Sequence, residues 1–272
     1  MVSKASKRIE EEVIDPARRL LSSQFTLLGL SGPTIFVGDL HGDLRTARSA
    51  LDLHTQKGTS HLVFLGDVVD RGKESLPVLE LLLKAMMADP AHVHILRGNH
   101  ETLVPNTEYG FKAELERRGV GDLHLPFNEL FSQMPVAAVL DGRVLAVHGG
   151  VPEEIPSLEE IGSIRKGVIE PDGSRDHMLL GLLWNDPDED VQQFGENTYR
   201  GYMRVFGRKA FESFAEKNDI EMIVRGHQRW QQGFRWFFGT KVLSLFSCTS
   251  YSSNVSPKAA LVKGPAVTML DL

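Results

Sequence analysis

A single cysteine, Cys248, is the only thiol in this 272-residue chain. That excludes an internal disulfide and a thiolate zinc site, and it suits a reducing compartment. Positive charge is also in short supply: 30 Lys and Arg stand against 36 Asp and Glu, for a formal net charge of −6. This balance gives no electrostatic footprint for wrapping nucleic acid or lying on anionic lipid. Long hydrophobic runs are missing too. The charge-free stretch 20–38 is long enough to raise the membrane question. Ser22, Ser23, Gln24, Thr26, Ser31 and a Gly32-Pro33 break interrupt it, so it reads as a short helix, a turn and a buried strand. Lys4, Lys7 and Arg8 are followed by Glu10, Glu11 and Glu12, where a secretory leader needs its apolar segment. A cytoplasmic protein is expected, with neither membrane nor nucleic acid as partner. No internal repeat or low-complexity linker divides the chain. One domain over 1–272 is therefore expected, with a helical lead-in over 1–33.

What the chain does hold is 42% hydrophobic residues, ample for a core at this length. Five short apolar runs each end in a polar, glycine-containing cluster. They are Thr34–Val37 before Gly38-Asp39, Leu62–Leu65 before Gly66-Asp67, Val93–Leu96 before Arg97-Gly-Asn99, Val144–Val147 before His148-Gly-Gly150, and Met222–Val224 before Arg225-Gly-His227. Runs this short, rich in Val and Ile and stopped by glycine, read as buried strands. Between them, Leu44–Leu53 after the N-cap Asp43, and Ser75–Met87, carry helical periodicity. An α/β layered fold follows. Four further strands, Phe234–Phe238, Lys241–Ser247, Ala259–Val262 and Val267–Leu270, lack intervening helices and suggest an antiparallel portion of the sheets. The segment Pro152–Tyr199 reads as loop-rich.

In open α/β folds, ligands bind beyond the carboxyl ends of the strands. The polar clusters supply Asp39, His41, Asp67, Asp70, Arg71, Asn99, His100, His148 and His227 at such ends. Oxygen and imidazole donors without sulfur describe a hard-to-borderline divalent metal site. The set is large enough for two metals if one carboxylate bridges them, the arrangement that activates a hydroxide for in-line attack at phosphorus.

Gly38-Asp-Leu-His-Gly-Asp43, Gly66-Asp-Val-Val-Asp-Arg-Gly72, Arg97-Gly-Asn-His-Glu101, His148-Gly-Gly150 and Arg225-Gly-His-Gln228 resemble the motif blocks of the phosphoprotein phosphatase (PPP) family of metallophosphatases, in that family's order. The resemblance runs from about Thr34 to Tyr251. It implies a layered metallophosphoesterase fold, a central β-sandwich of mixed sheets flanked by helices. It also implies two divalent ions, with manganese, iron or zinc all compatible with the donors. Asp39, His41 and Asp67 would hold the first, and Asp67, Asn99, His148 and His227 the second, with Asp67 bridging. Arg71 and Arg200 would bind phosphate, as a guanidinium matches its oxygens, and Asn99 would share in substrate binding. His100 would protonate the leaving alkoxide, with Asp70 orienting and charging it. Tyr251 aligns with a family tyrosine at the mouth of the site. Val68 stands where an aromatic residue is common, and Cys248-Thr-Ser250 where the better-known members carry an Ala-Pro-Asn-like stretch.

The implied activity is hydrolysis of phosphoserine and phosphothreonine in proteins by attack of a dimetal-held hydroxide, with phosphorylated proteins as partners. Hydrolysis of dinucleoside polyphosphates or other nucleotides is the alternative. The acid at Asp70 separates the two, because the diadenosine tetraphosphate hydrolase branch tends to lack it. A non-catalytic phosphate-binding scaffold comes last, since all six ligand positions are filled. Several residues keep ordinary readings. Asp43 caps a helix, Glu101 supports its neighbours, Arg97 and Arg225 brace loops, and Cys248 packs as a small hydrophobe. His54, His61, His92, His94, His124 and His177 read as surface or satisfied histidines. His92 and His94 alternate, so one strand face could hold both, but no acidic partner pattern accompanies them.

Overall fold

Strands that are apolar at every position need cover on both faces, and two stacked sheets with helices outside provide it. The computed structural model describes residues 3–250 and 254–272. Helix α1 (Lys4–Ile9) runs through a π-helical turn into α2 (Asp15–Ser23). Strands β1 (Leu27–Leu30) and β2 (Thr34–Val37) follow, then α3 (Leu44–Lys57), β3 (His61–Phe64), α4 (Ser75–Ala88) and β4 (Val93–Ile95). Helices α5 (Leu103–Glu108), α6 (Phe111–Arg117) and α7 (His124–Phe131) lead to a hairpin of β5 (Ala137–Leu140) and β6 (Val144–Val147). Next come α8 (Leu158–Gly162), α9 (His177–Trp184), β7 (Asp186–Pro187), β8 (Phe194–Glu196) and β9 (Arg204–Phe206). Helix α10 (Arg208–Asn218) precedes β10 (Met222–Arg225), β11 (Phe234–Phe237), β12 (Val242–Leu245), β13 (Lys258–Lys263) and β14 (Ala266–Asp271).

One mixed sheet has six strands in the order β1-β5-β6-β10-β12-β11, and the other has five in the order β14-β13-β2-β3-β4. A small sheet, β7-β9-β8, lies apart from both orders. Alternation sorts each strand between two cores. Phe36 and Val63 face Ala146, Val224 and Leu243 between the sheets. Their neighbours Ile35, Val37, Leu62 and Phe64 pack outward on α2, α3, α4 and α7. On the other side Leu145, Val147 and Ile223 pack against α9 and α10. The result is a layered α/β fold with a β-sandwich at its centre. No helix among the described residues is long and apolar enough to cross a membrane.

Three readings change. The lead-in is helical only to Ser23: Leu28 and Leu30 are buried while Gly29 is exposed, and this two-residue period makes 27–30 an edge strand parallel to β5. The late strands are only partly antiparallel. β11 pairs β12, and β13 pairs both β14 and β2, in antiparallel fashion, but β12 runs parallel to β10. Pro152–Tyr199 also contains α8, α9, β7 and β8, elements of two to eight residues that are too short to show a period.

Candidate metal centre

Both large sheets turn the carboxyl ends of their parallel strands toward one rim. Asp39 and His41 follow β2, Asp67 follows β3, and Asn99 and His100 follow β4, while His148 follows β6 and His227 follows β10. A parallel bridge between Asp39 and Phe246 joins the sheets there. The loops arrive in left-handed backbone, with φ of +42° at His41, +52° at Asp67, +72° at Asp70, +64° at Arg71 and +70° at His227. Each costs roughly 1–3 kcal/mol, so the surroundings must hold it. Buried Glu101 does much of this: its carboxylate accepts N–H bonds from Asp67 (2.8 Å), Val68 (2.9 Å) and Gly98 (2.9 Å). Glycine is required where backbone meets ligand. A Cβ on Gly98 would stand 2.3 Å from Asp67 Oδ1, and one on Gly226 2.5 Å from Asp39 Oδ1.

Two three-residue groups bring their donor atoms within 4.8 Å of one another: His41, Asp67 and His100, and Asp67, His148 and His227. Asp67 belongs to both. Its Oδ2 lies 3.6 Å from His41 Nε2 and its Oδ1 3.2 Å from His148 Nε2, so one carboxylate turns an oxygen toward each group. Asn99 Oδ1 and His227 Nδ1 approach His148 Nε2 at 2.9 and 3.1 Å. Asp39 stands beside the first group, its Oδ2 3.8 Å from His41 Nε2, while its Oδ1 accepts the His227 N–H at 2.7 Å. His41 Nδ1 and His148 Nδ1 donate to the carbonyls of Val69 and Leu65, each at 2.8 Å. Those bonds orient both rings with Nε2 toward the centre, as the backbone partner of a metal-binding imidazole does.

This donor set fits two divalent ions. His148 Nε2 faces Asp67 Oδ1, Asn99 Oδ1 and His227 Nδ1, a ring of lone-pair atoms that a cation would satisfy. The buried His227 Nε2 has no hydrogen-bond partner, which suits a ring whose Nδ1 is the ligand. Burial and neighbouring Asp67 push the Asp39 carboxyl up to about 6. Burial, with His100 beside it, pushes His41 down to about 3. Burial would raise Asp67 as well, but the charges of His148 and His100 hold it well below the usual carboxylate range. A crowded Asp39 carboxyl and a His41 ring kept neutral are a state that bound cations relieve.

His100 Nδ1 bonds Asp70 Oδ2 at 2.6 Å, and Asp70 Oδ1 accepts the Phe111 N–H at 2.8 Å. The other ring nitrogen of His100 lies 3.9 Å from Asp67 Oδ2, at the metal group. Burial lowers the His100 pKa, but the Asp67 charge and the Asp70 bond outweigh it and raise the ring above its ordinary value. Arg71 is exposed, with its guanidinium 4.1 Å over the Tyr109 ring. Arg200 donates to Asp186 at 2.6 Å and to the His227 carbonyl at 3.0 Å. A cavity of about 350 Å³ lined by Tyr109, Trp184, Arg200 and Tyr202 opens alongside.

The rim therefore gathers Asp39, His41, Asp67, Asp70, Asn99, His100, His148 and His227, with Arg71 and Arg200 at its edge. Tyr251 lies outside the described residues. The compact first group holds His100 with His41 and Asp67, and Asp39 stands beside it. Arg97 and Arg225 are buried braces. Arg97 donates to the carbonyls of Glu101 and Ile169, and Arg225 to the Gly149 carbonyl and Asp186. Sequence reasoning missed Asp186, which pairs with both Arg200 and Arg225. Its position between Trp184-Asn185 and Pro187 was the only signal.

Solved structures with this architecture include a Saccharomyces cerevisiae protein serine/threonine phosphatase with similarity to human phosphatase PP5. It is 23% identical, has a TM-score of 0.85, and the match covers 98% of this chain and 90% of that one. A cold-active protein-tyrosine phosphatase of a psychrophilic Shewanella species is 16% identical with a TM-score of 0.63, over 93% of this chain and 84% of that one. At these identities the likeness establishes the fold. In sequence, residues 32–229 match the calcineurin-like phosphoesterases, a span that takes in every gathered ligand. The chain belongs to the calcineurin-like phosphoesterase family.

Proposed function

We propose that this phosphoesterase is a dimetal protein phosphatase of the PPP type, hydrolysing phosphoserine and phosphothreonine. The observation that carries the reading is the His100–Asp70 pair at 2.6 Å, set against the Asp67 carboxylate. Expelling a serine or threonine alkoxide requires a proton, and a buried imidazole backed by a carboxylate delivers one. Asp39, His41 and Asp67 would hold one ion, and Asp67, Asn99, His148 and His227 the other. Divalent ions in such a site polarise the phosphoryl group and activate the attacking water; manganese is the ion proposed to support turnover in vitro. Arg71 and Arg200 bind the phosphoryl oxygens and turn the ester toward His100. His100 donates from Nε2 to the departing oxygen while Asp70 keeps the ring in register through Nδ1. The open cavity beside Arg200 supports a protein segment as substrate, and the acidic balance and lone buried thiol support a cytoplasmic setting.

The test is metal-supplemented turnover on a panel of phosphopeptides and dinucleoside polyphosphates. Phosphoserine and phosphothreonine peptides are expected to be preferred. Preferred cleavage of the dinucleoside polyphosphates would assign the chain to nucleotide hydrolysis instead.

A further inference from the structure

The amino ends of β3 and β4 lie at the opposite side of the five-stranded sheet from the catalytic rim, and they carry a second concentration of imidazole. His61 opens β3, His94 is the middle residue of β4, and His92 immediately precedes that strand. Parallel register sets Leu62 opposite Val93 and Val63 opposite His94. By two-residue alternation, His61, His92 and His94 share one sheet face. His61 Nδ1 and His94 Nε2 meet at 3.2 Å. The His92 ring lies 5.9 Å from His61, centroid to centroid. Its Nδ1 is held by Asp89 Oδ1 at 2.6 Å, and its side chain is 51% exposed. His94 is 6% exposed, and its Nδ1 has no hydrogen-bond partner.

These features are those of an ion seat. Two imidazole ligands at about 2.0–2.1 Å from a tetrahedral ion stand about 3.3 Å apart. The His61–His94 separation fits that edge, as does the 3.1 Å contact between His148 and His227 at the catalytic rim. Asp89, held to one nitrogen of His92, fixes which nitrogen would face a metal. Groups of three donor atoms already within 4.8 Å occur, among the described residues, at the catalytic rim. The distal seat is thus a pair of nitrogens, with His92 exposed enough to swing in and close it. An all-imidazole donor set favours zinc, copper or nickel over the harder ions.

We propose that His61, His92 and His94 form a peripheral zinc-class site, with Asp89 as the orienting carboxylate, separate from the catalytic centre. The site would tie the β4 edge to β3. His61 opens β3 and Asp67 lies past its other end, so the strand, about 13 Å long, separates the two sites.

Elemental analysis after equilibration with manganese and then micromolar free zinc tests this, with total ions counted per chain. Wild type is expected to hold one ion more than His61→Ala. By calorimetric zinc titration, Asp89→Asn should bind that ion about 10- to 100-fold more weakly. Zinc should raise the melting temperature of the wild type more than that of His61→Ala. Manganese-supported turnover of an aryl phosphate should be unchanged in both variants, which shows that they fold. Equal ion counts in wild type and His61→Ala would overturn the proposal and leave the 3.2 Å contact as a packing hydrogen bond. The comparison reads a difference of one ion, so it stands whatever the catalytic centre binds or cleaves.

Discussion

The two halves of the metal centre come from different sheets and are held by buried groups of opposite sign. On the five-stranded side, the Glu101 carboxylate gathers the N–H groups of Asp67, Val68 and Gly98. On the six-stranded side, the Arg225 guanidinium gathers the carbonyls of Gly149 and Asn185 and the carboxylate of Asp186. The left-handed turn at Asp67 aims successive N–H groups inward, so an anion fits there. The loops after β6 and α9 aim carbonyls inward, so a cation fits. In both halves the ligand loop is fixed through its backbone, which must be satisfied when buried. The halves differ in their side chains: the first carries the His100–Asp70 pair and Arg71, the second Arg200.

The largest effect is expected at the seam. Asp67 turns an oxygen to each half, so Asp67→Asn should strip both metals and reduce turnover to background. Two tightly bound ions in that variant, by elemental analysis, would remove Asp67 from the bridging position. The next effect belongs to one half only. His100→Asn should slow phosphopeptide hydrolysis by about 10²–10⁴-fold relative to an aryl phosphate, whose leaving group needs no proton. Asp70→Asn should show the same pattern more weakly, and an unchanged ratio in His100→Asn with metals retained would return His100 to metal support.

The two braces test the parallel directly. Glu101→Ala and Arg225→Ala each strand buried polar groups, and each should cost about 3–5 kcal/mol in urea unfolding. A cost below ~1 kcal/mol in either would break the symmetry between halves. The smallest effects are expected at the rim arginines. Arg71→Ala and Arg200→Ala should lower kcat/KM on peptide and aryl phosphates alike, by about 1.5–3 kcal/mol, roughly 10- to 100-fold. Only Arg200→Ala should also lower Tm, because Arg200 ties Asp186 to the His227 carbonyl whereas Arg71 is exposed.

The residues gathered at the rim were legible because each is a polar residue just after an apolar run, and strands buried on both faces leave uninterrupted runs in the sequence. The helix at Leu44 was legible through Asp43, whose carboxylate accepts the Thr46 N–H. Arg225 as a loop brace and Glu101 as a support were legible as residue types, but the groups they hold were not. Glu101 works through backbone donors that no side-chain pattern records, and Asp186 meets Arg225 across 39 positions. Strand β1 was hidden because it is four residues long and lies at a sheet edge, with Gly29 exposed between Leu28 and Leu30. Asp89 escaped notice as the partner of His92 because it sits in the turn before β4, outside the alternation that links His92 to His94.

The hydrogen bond from the His227 N–H to Asp39 spans 188 positions, and the ligands between them come from both sheets. This has a consequence for the order of assembly. A chain growing from its amino end exposes Asp39, His41, Asp67 and Asn99 well before His148 and His227 exist. Long-range closures of this kind form late and slowly. The full ligand set therefore waits for β10 to dock beside β6, and no nascent chain that stops short of β10 holds it.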